Sequence, residues 1–466
     1  MHPNQKISPI PQVLVLTLCM LFAILYGVWL LPHTVFVRNS CLVGGALLSF
    51  PIIAKHWRLL FQRAAAPIWL IVLLLVWVTI HLLFIGQDFD RQYLEYTTIW
   101  KKIAIGCVFA LGFGLAIGQN TNPKTAKTSW AIIYWGLLLP SLIYFGKYIL
   151  GIVALHYGLT LSPYLILNPD HMGSPFGIAR ARYVFFCLPA MAVGLGCIAN
   201  DLKRKTLHWQ SAIFYLLSVP LTLTLFELEG DRLGAVYAIA LLGVFALVVA
   251  RNMIDVRRPI LTMLALALMV SASVWLVQKV TYQSPLWHQF WADAKMAVQV
   301  DKYDAWQTRV LPINELGIPA SDSNYMRISW AIVGTRLLMQ NPLGYGLLSL
   351  SFGGLGKQIW PNAQISWTHS AWLDFALSYG LPALIMIWLA IALTWQEAKA
   401  LNPPWNTLGR WGLFIAAAVM LTKEVSTEVV LNSMIFMIVW VAALGLSTPN
   451  TKPKLPPTPK PTPGQQ

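Results

Sequence analysis

The stretch PIWLIVLLLVWVTIHLLFIG, residues 67–86, runs for twenty residues without a Lys, Arg, Asp or Glu. At 1.5 Å rise per residue it is long enough to cross the roughly 30 Å hydrocarbon core of a bilayer as a helix. The pattern recurs along the chain. The other candidate spans are 12–31, 40–54, 103–118, 130–152, 183–199, 211–228, 232–250, 259–278, 369–395, 409–422 and 431–446. Of the 466 residues, 57% are hydrophobic and 11% charged, where a soluble domain carries about 25% charged residues. A buried core does not account for that shortfall; a chain dissolved mostly in lipid does. A spanning backbone must satisfy its own hydrogen bonds, which leaves helices or a closed barrel. Unbroken apolar runs select helices, and the alternation of barrel strands is missing. The expected fold is an all-α polytopic integral membrane protein with about twelve transmembrane helices.

The formal charge of +15 could suggest nucleic acid. The basic residues, however, are scattered between apolar runs rather than gathered on one element, so no nucleic-acid partner is expected. Membrane lipid headgroups and phosphate-bearing substrates fit better. Cys19, Cys41, Cys107, Cys187 and Cys197 all sit in apolar runs and form no CxxC. They read as small hydrophobes, not as zinc or iron–sulfur ligands. The apolar run 13–31 follows Lys6 and has no clean cleavage site, so it reads as a retained first helix.

Lys and Arg in the short loops set the orientation. With the N-terminus inside, the cytoplasmic loops carry Lys55, Arg58 and Arg63; Lys124 and Lys127; Lys203, Arg204 and Lys205; Arg251, Arg257 and Arg258; and Lys399 and Arg410. The facing loops are nearly neutral or mixed, as in Asp88, Asp90, Arg91 and Glu95. Both termini are therefore expected in the cytoplasm. The chain divides into helices 1–9 with short loops (1–278), a large periplasmic segment (279–368), helices 10–12 (369–446) and a Pro-, Lys- and Thr-rich cytoplasmic tail (447–466) that cannot bury a core. Three outward segments exceed a turn: 87–102, 156–182 and 279–368. The last, about ninety residues long, contains one strong helical candidate at 324–340. A loop this long is usually functional.

Five constellations could carry chemistry. In Trp367-Thr368-His369-Ser370-Ala371-Trp372, Thr368 as N-cap would put His369 in the first helical turn, where the helix dipole disfavours imidazolium. A neutral histidine can act as a general base; it can equally be an interfacial anchor. Asp374, five positions on, falls about 140° around the helix and is poorly placed to orient His369. Arg180, Arg182 and Arg232 stand at outward helix ends, where a planar guanidinium suits phosphate oxygens, although snorkelling or pairing with Glu227, Glu229 or Asp231 is the alternative. Arg327 and Arg336 lie nine residues apart and project from opposite faces of one helix. Arg327 is the better site candidate, against a structural ion pair, and Arg336 the better snorkeller. Trp287, Trp291, Trp306, Trp330, Trp360 and Trp367 crowd the outer segment and suit packing or interfacial anchoring better than sugar stacking. Asp88-Phe89-Asp90 is a three-residue acidic pattern that arises easily by chance, and no His-plus-carboxylate cluster has metal spacing. No P-loop or GxGxxG is present, which disfavours a nucleotide-driven machine.

The order of Gly230-Asp231-Arg232-Leu233-Gly234, Arg327-x-x-Trp330, Asn-Pro-Leu-Gly-Tyr-Gly at 341–346, Thr368-His369-Ser370-x-Trp372-Leu373-Asp374 and Gly380-Leu381-Pro382 resembles the O-antigen ligase and O-antigen polymerase superfamily, and most closely the branch that joins O-antigen to lipid A–core. The resemblance covers most of the membrane domain. It implies a glycosyltransferase-C-like helical fold in the bacterial inner membrane with a periplasmic active site. It implies transfer of a glycan from undecaprenyl pyrophosphate to a sugar hydroxyl of lipid A–core in lipopolysaccharide biosynthesis, with no metal, nucleotide or other cofactor. His369 falls where the family base deprotonates the acceptor. Arg232, and Arg180 or Arg182, fall where arginines hold the pyrophosphate. The usual Ser-Arg-Gly is here Asp231-Arg232-Leu233, which sets an acid beside the arginine; the usual His-Asn is His369-Ser370. A polymerase or a protein O-oligosaccharyltransferase would share these features. A transporter, the non-enzyme alternative, should carry ionisable residues at mid-span, whereas here the polar features collect at outer helix ends.

Overall fold

The computed structural model describes residues 10–167, 180–253, 285–422 and 428–447. The candidate span 259–278 and the tail 448–466 lie outside the described residues. Arg180 and Arg232 are described by their backbone. The architecture is all-α. Among the described residues, nine helical stretches are long and apolar enough to cross a membrane, from the 18 residues of Val429–Leu446 to the 34 of Pro123–His156. The chain is thus polytopic by helix length and hydropathy.

The helices are α1 Gln12–Val28, α2 Val35–His56, α3 Ala66–Phe84, α4 Phe89–Glu95, α5 Lys101–Gly118, α6 Pro123–His156, α7 Arg180–Arg204, α8 Trp209–Leu216, α9 Ser218–Leu228, α10 Arg232–Met253, α11 Pro285–Ala297, α12 Asp322–Gln340, α13 Ser351–Ile359, α14 Ala371–Glu397, α15 Leu413–Val419 and α16 Glu428–Ser447. Local chemistry explains their starts. Pro123 opens α6 behind Asn122, whose side-chain oxygen accepts from Lys124 N and Thr125 N (2.9 and 3.4 Å). Asp88 caps α4 by accepting from Arg91 N at 3.2 Å and lies 3.5 Å from the Arg91 guanidinium. The Asp88-Phe89-Asp90 pattern therefore marks a helix start. The segment 87–102, expected as an outer loop, is helix instead. Its π-helical turn Tyr96–Trp100 joins α4 to α5 in one continuous stretch, Phe89–Gly118.

Two helices form the interior. The apolar windows of α7 and α16 are 94% buried, against 22% for α10 and 39% for α3, which face outward. Phe22, Phe113, Phe436 and Trp440 pack around α16, with the Phe113 and Trp440 rings stacked at 5.0 Å. Gly114 lets α5 lie against α16, since a Cβ there would come within 2.5 Å of Trp440 O. Close backbone approach of this kind drives helix association where lipid supplies no hydrophobic force.

The segment from α11 to Thr368 covers one end of the bundle, here termed the capped end. It has its own core of Trp306, Tyr325, Trp330, Leu337, Phe352 and Ile365, closed against Ala376 and Leu377 of α14. Buried Asp293 gathers Asn314 Nδ2 (2.9 Å), Ser321 N (3.0 Å) and Asn324 Nδ2 (3.1 Å). Arg336 does not snorkel. It makes a bidentate pair with Asp301 (2.6 and 2.8 Å), which holds that carboxyl below its ordinary range. The Arg336 end of α12 points to water and to Asp301, so no membrane surface is needed to hold its charge.

The Asn341–Gly346 turn and the Gly380-Leu381-Pro382 step prove to be one device. Gly380 (φ 78°, ψ 177°) breaks α14, and Pro382 has no N–H. The carbonyls of Leu377 and Ser378 therefore lose their helical donors. The turn replaces them: Tyr345 N donates to Leu377 O (2.8 Å), Gly346 N to Ser378 O (2.7 Å), and Leu381 N to Pro342 O (2.8 Å). A broken helix survives beside lipid only if its freed backbone groups find protein partners.

Candidate active site at the capped end

His369 does not lie in the first turn of α14. The helix opens at Ala371, with Ser370 in the cap position, and His369 precedes it in the left-handed region (φ 62°). Thr368 is not the cap either. Its N–H and its hydroxyl both donate to Asp374 Oδ1 (2.7 and 2.8 Å), and its Oγ1 accepts from Ser370 N (3.2 Å). Asp374 thus reaches back from α14 to pin the residue before His369, a positioning role that its 140° offset from His369 concealed. A left-handed conformation costs a non-glycine residue about 1–2 kcal/mol, histidine being among the more tolerant. Backbone held so against its preference is a marker of functional sites.

The His369 imidazole is half-buried. Trp330 stacks on it, with ring centroids 5.4 Å apart and planes 13° apart, and Trp367 meets it edge-on at 6.2 Å. Gly334 makes this possible. It follows Trp330 by one turn on the same face of α12, and a Cβ there would fall 2.8 Å from Thr368 Cγ2. The Arg309 guanidinium lies 5.3 Å from the Trp330 ring centroid, held by an Nε donation to Gln364 O (3.3 Å). Arg309, itself left-handed at φ 60°, was not singled out from sequence. It stands in an irregular polar stretch with no helical period to give its direction. Arg327 is exposed, one turn from Trp330, and forms no ion pair among the described residues. Of the outer tryptophans, Trp306 and Trp330 pack inward: Trp306 Nε1 donates to Val300 O (3.0 Å) and Trp330 Nε1 to Trp306 O (2.9 Å).

The helix starts that carry the predicted arginines converge. Asp231 caps α10 by accepting from Gly234 N at 2.8 Å, which gives the acid beside Arg232 a structural task. Gly234 itself faces α7, where a Cβ would meet Val184 Cγ2 at 2.8 Å. The α7 and α10 starts are therefore in contact two residues beyond Arg182 and Arg232, respectively. The start of α14 joins them through the end of α15. Trp372 Nε1 donates to Ala417 O (2.9 Å), and the Tyr237 hydroxyl of α10 donates to the next carbonyl, Ala418 O (3.0 Å). Two consecutive carbonyls thus tie the helix that follows His369 to the helix that begins at Arg232. Arg182 is half-buried, and its Nε is buried without a hydrogen-bond partner among the described residues.

An imidazole on an aromatic platform and the cations Arg182, Arg309 and Arg327 so share one end of the bundle. The imidazole can accept a proton, and guanidinium groups can hold an anionic leaving group. No protein-family model matches this chain, and no curated protein matches it either.

Proposed function

We propose that the chain is a membrane glycosyltransferase of the O-antigen ligase type, moving a glycan en bloc from undecaprenyl pyrophosphate to a sugar hydroxyl of lipid A–core. In this reading the fold is glycosyltransferase-C-like with about twelve crossings, both termini are cytoplasmic, and the capped end is periplasmic. The observation that supports it is the junction of helix starts at the capped end: the helix of Arg182 touches the helix that begins at Arg232, and that helix and the one following the His369 loop meet on neighbouring carbonyls of α15.

The acceptor hydroxyl gives its proton to His369 as its oxygen bonds to the anomeric carbon. The bond from that carbon to the phosphate oxygen breaks, and the electron pair leaves with the polyprenyl pyrophosphate. Arg182 and Arg232, with Arg180 and Arg327 as further candidates, stabilise the departing charge. A positioned base contributes typically about 10²–10⁴ in rate, and loss of one donor to developing charge costs roughly 10²–10³. Arginine keeps its proton at any working pH, so the charge needed at the leaving group requires no divalent metal.

Deletion of the gene, read out on surface lipopolysaccharide, tests this. A ligase predicts bare lipid A–core with long lipid-linked polymer accumulating. Core capped with a single repeat would instead assign the polymerase reaction, and unaltered lipopolysaccharide would remove both.

A further inference from the structure

A groove on the surface of the bundle takes no part in the site described above. It lies between α3 and the continuous stretch Phe89–Gly118, is open to the surroundings, and holds about 490 Å³. Val72 and Val76 of α3 form one wall, and Ala104 and Ile105 of α5 the other. Lys101 stands on the second wall one turn before Ile105, where the π-helical turn gives way to α5. Thr79 Oγ1 and the Tyr96 hydroxyl, 2.9 Å apart, bridge the two walls. The volume falls among those of small-ligand sites, about 300–1,000 Å³, and so does the make-up: apolar walls with a few polar groups.

The lining carries one charge, that of Lys101, and no Asp or Glu. The helices around it supply none either: α3 and α5 contain no acid, nor does α2, which lies against α5 through the Ser49 hydroxyl and Phe109 O (3.2 Å). The nearest acid along the chain, Glu95, is engaged elsewhere. Its Oε2 accepts from Leu348 N (2.7 Å) and its Oε1 from the Ser349 hydroxyl (2.7 Å). An ionisable side chain on a membrane helix is costly without a partner and marks a functional site. Val72 and Val76 are exposed, so the groove opens where lipid chains lie. Its natural occupant is apolar with an anionic head. One ammonium is a point charge that suits one phosphate. A headgroup with its own amine would set a second cation beside Lys101, with no acid on either wall to receive it. The groove also touches the break in α14. The buried Trp100 donates from Nε1 to the Tyr379 hydroxyl (2.7 Å), and Trp77 Nε1 donates to Tyr379 O (2.8 Å), one residue before Gly380.

We propose that this groove is a binding site for one anionic phospholipid, with its phosphate on Lys101 and an acyl chain between the valines of α3 and Ala104 and Ile105 of α5. The lipid braces the α3–α5 pair and, through Trp100, the broken segment of α14. The proposal does not depend on the transferase reading. The test uses purified full-length protein in detergent, with phosphatidylglycerol, phosphatidylethanolamine and undecaprenyl phosphate as separate probes in native mass spectrometry. The wild type should prefer phosphatidylglycerol to phosphatidylethanolamine by roughly 3- to 10-fold. Lys101→Ala and Lys101→Gln should lose that preference, and Lys101→Arg should keep it. Val76→Trp, which fills the groove from an exposed position, should weaken both phospholipids. Added phosphatidylglycerol should raise the melting temperature of the wild type more than that of Lys101→Ala. Equal binding of the two phospholipids by the wild type, or a preference that survives in both Lys101→Ala and Lys101→Gln, would overturn the site. Tighter binding of undecaprenyl phosphate that is lost in Val76→Trp would give the groove to a polyprenyl chain and overturn the phospholipid assignment.

Discussion

At residue 369 the backbone turns left-handed (φ 62°), and the force that keeps it there comes from its neighbours. Asp374 fixes Thr368 on one side, and Trp330 covers the imidazole on the other. Sequence picked out His369 by its motif, but it placed the residue inside the helix, because Thr368 looks like a cap. A threonine whose hydroxyl bonds forward to a buried aspartate cannot be told from a cap by spacing alone. Asp374→Ala should therefore do more than remove a buried acid. Two donors of Thr368 lose their acceptor, at a cost of about 1–3 kcal/mol each, and His369 loses its fixed position. The expected result is a lower melting temperature and a fall in kcat of tenfold or more, with the KM for the lipid-linked donor changing less. Rescue of kcat by Asp374→Asn, which keeps an acceptor oxygen, would support positioning. An Asp374→Ala enzyme with wild-type kcat would exclude it.

Among the elements, the most informative is the interrupted helix α14. Gly380 and Pro382 read from sequence as the opening of an apolar run, and Asn341–Gly346 as a turn. Nothing in either pattern states that one supplies the hydrogen bonds missing from the other, because that match is made in space across more than thirty residues of chain. Gly380 lies in a region open essentially to glycine alone, and a Cβ there would approach Pro342 O to 2.5 Å. Gly380→Ala should destabilise the protein by about 1–3 kcal/mol from conformation, with displacement of the 341–346 turn in addition. Thermal unfolding in detergent checks this; a melting temperature equal to that of wild type would mean that the interlock carries no weight. Helix existence was legible nearly everywhere, as in 324–340 against Asp322–Gln340. Continuity was not: α4 and α5 join through a π-helical turn into one stretch where a loop was expected.

For the molecule as a whole, composition sufficed to give an all-α polytopic protein, because only helices can carry so many uncharged runs across lipid. It did not tell which helices lie inside. Lipid-facing and protein-facing surfaces are equally apolar, and the burial of α7 and α16 follows from small residues and aromatic packing that hydropathy does not register. The gathering of cations was likewise only partly visible. Arg182 and His369 could be named, whereas Arg309 owes its place to packing between segments far apart in the chain. The central claim is that His369 is the base of a transfer whose leaving group is held by separate cations. The most direct measurement is single-turnover transfer from undecaprenyl-diphosphate-linked glycan to lipid A–core by purified His369→Ala protein, with donor binding measured on the same sample. The account predicts a rate lower by about 10²–10⁴ with donor affinity near that of wild type. Transfer at the wild-type rate, with the donor bound equally well, would contradict it.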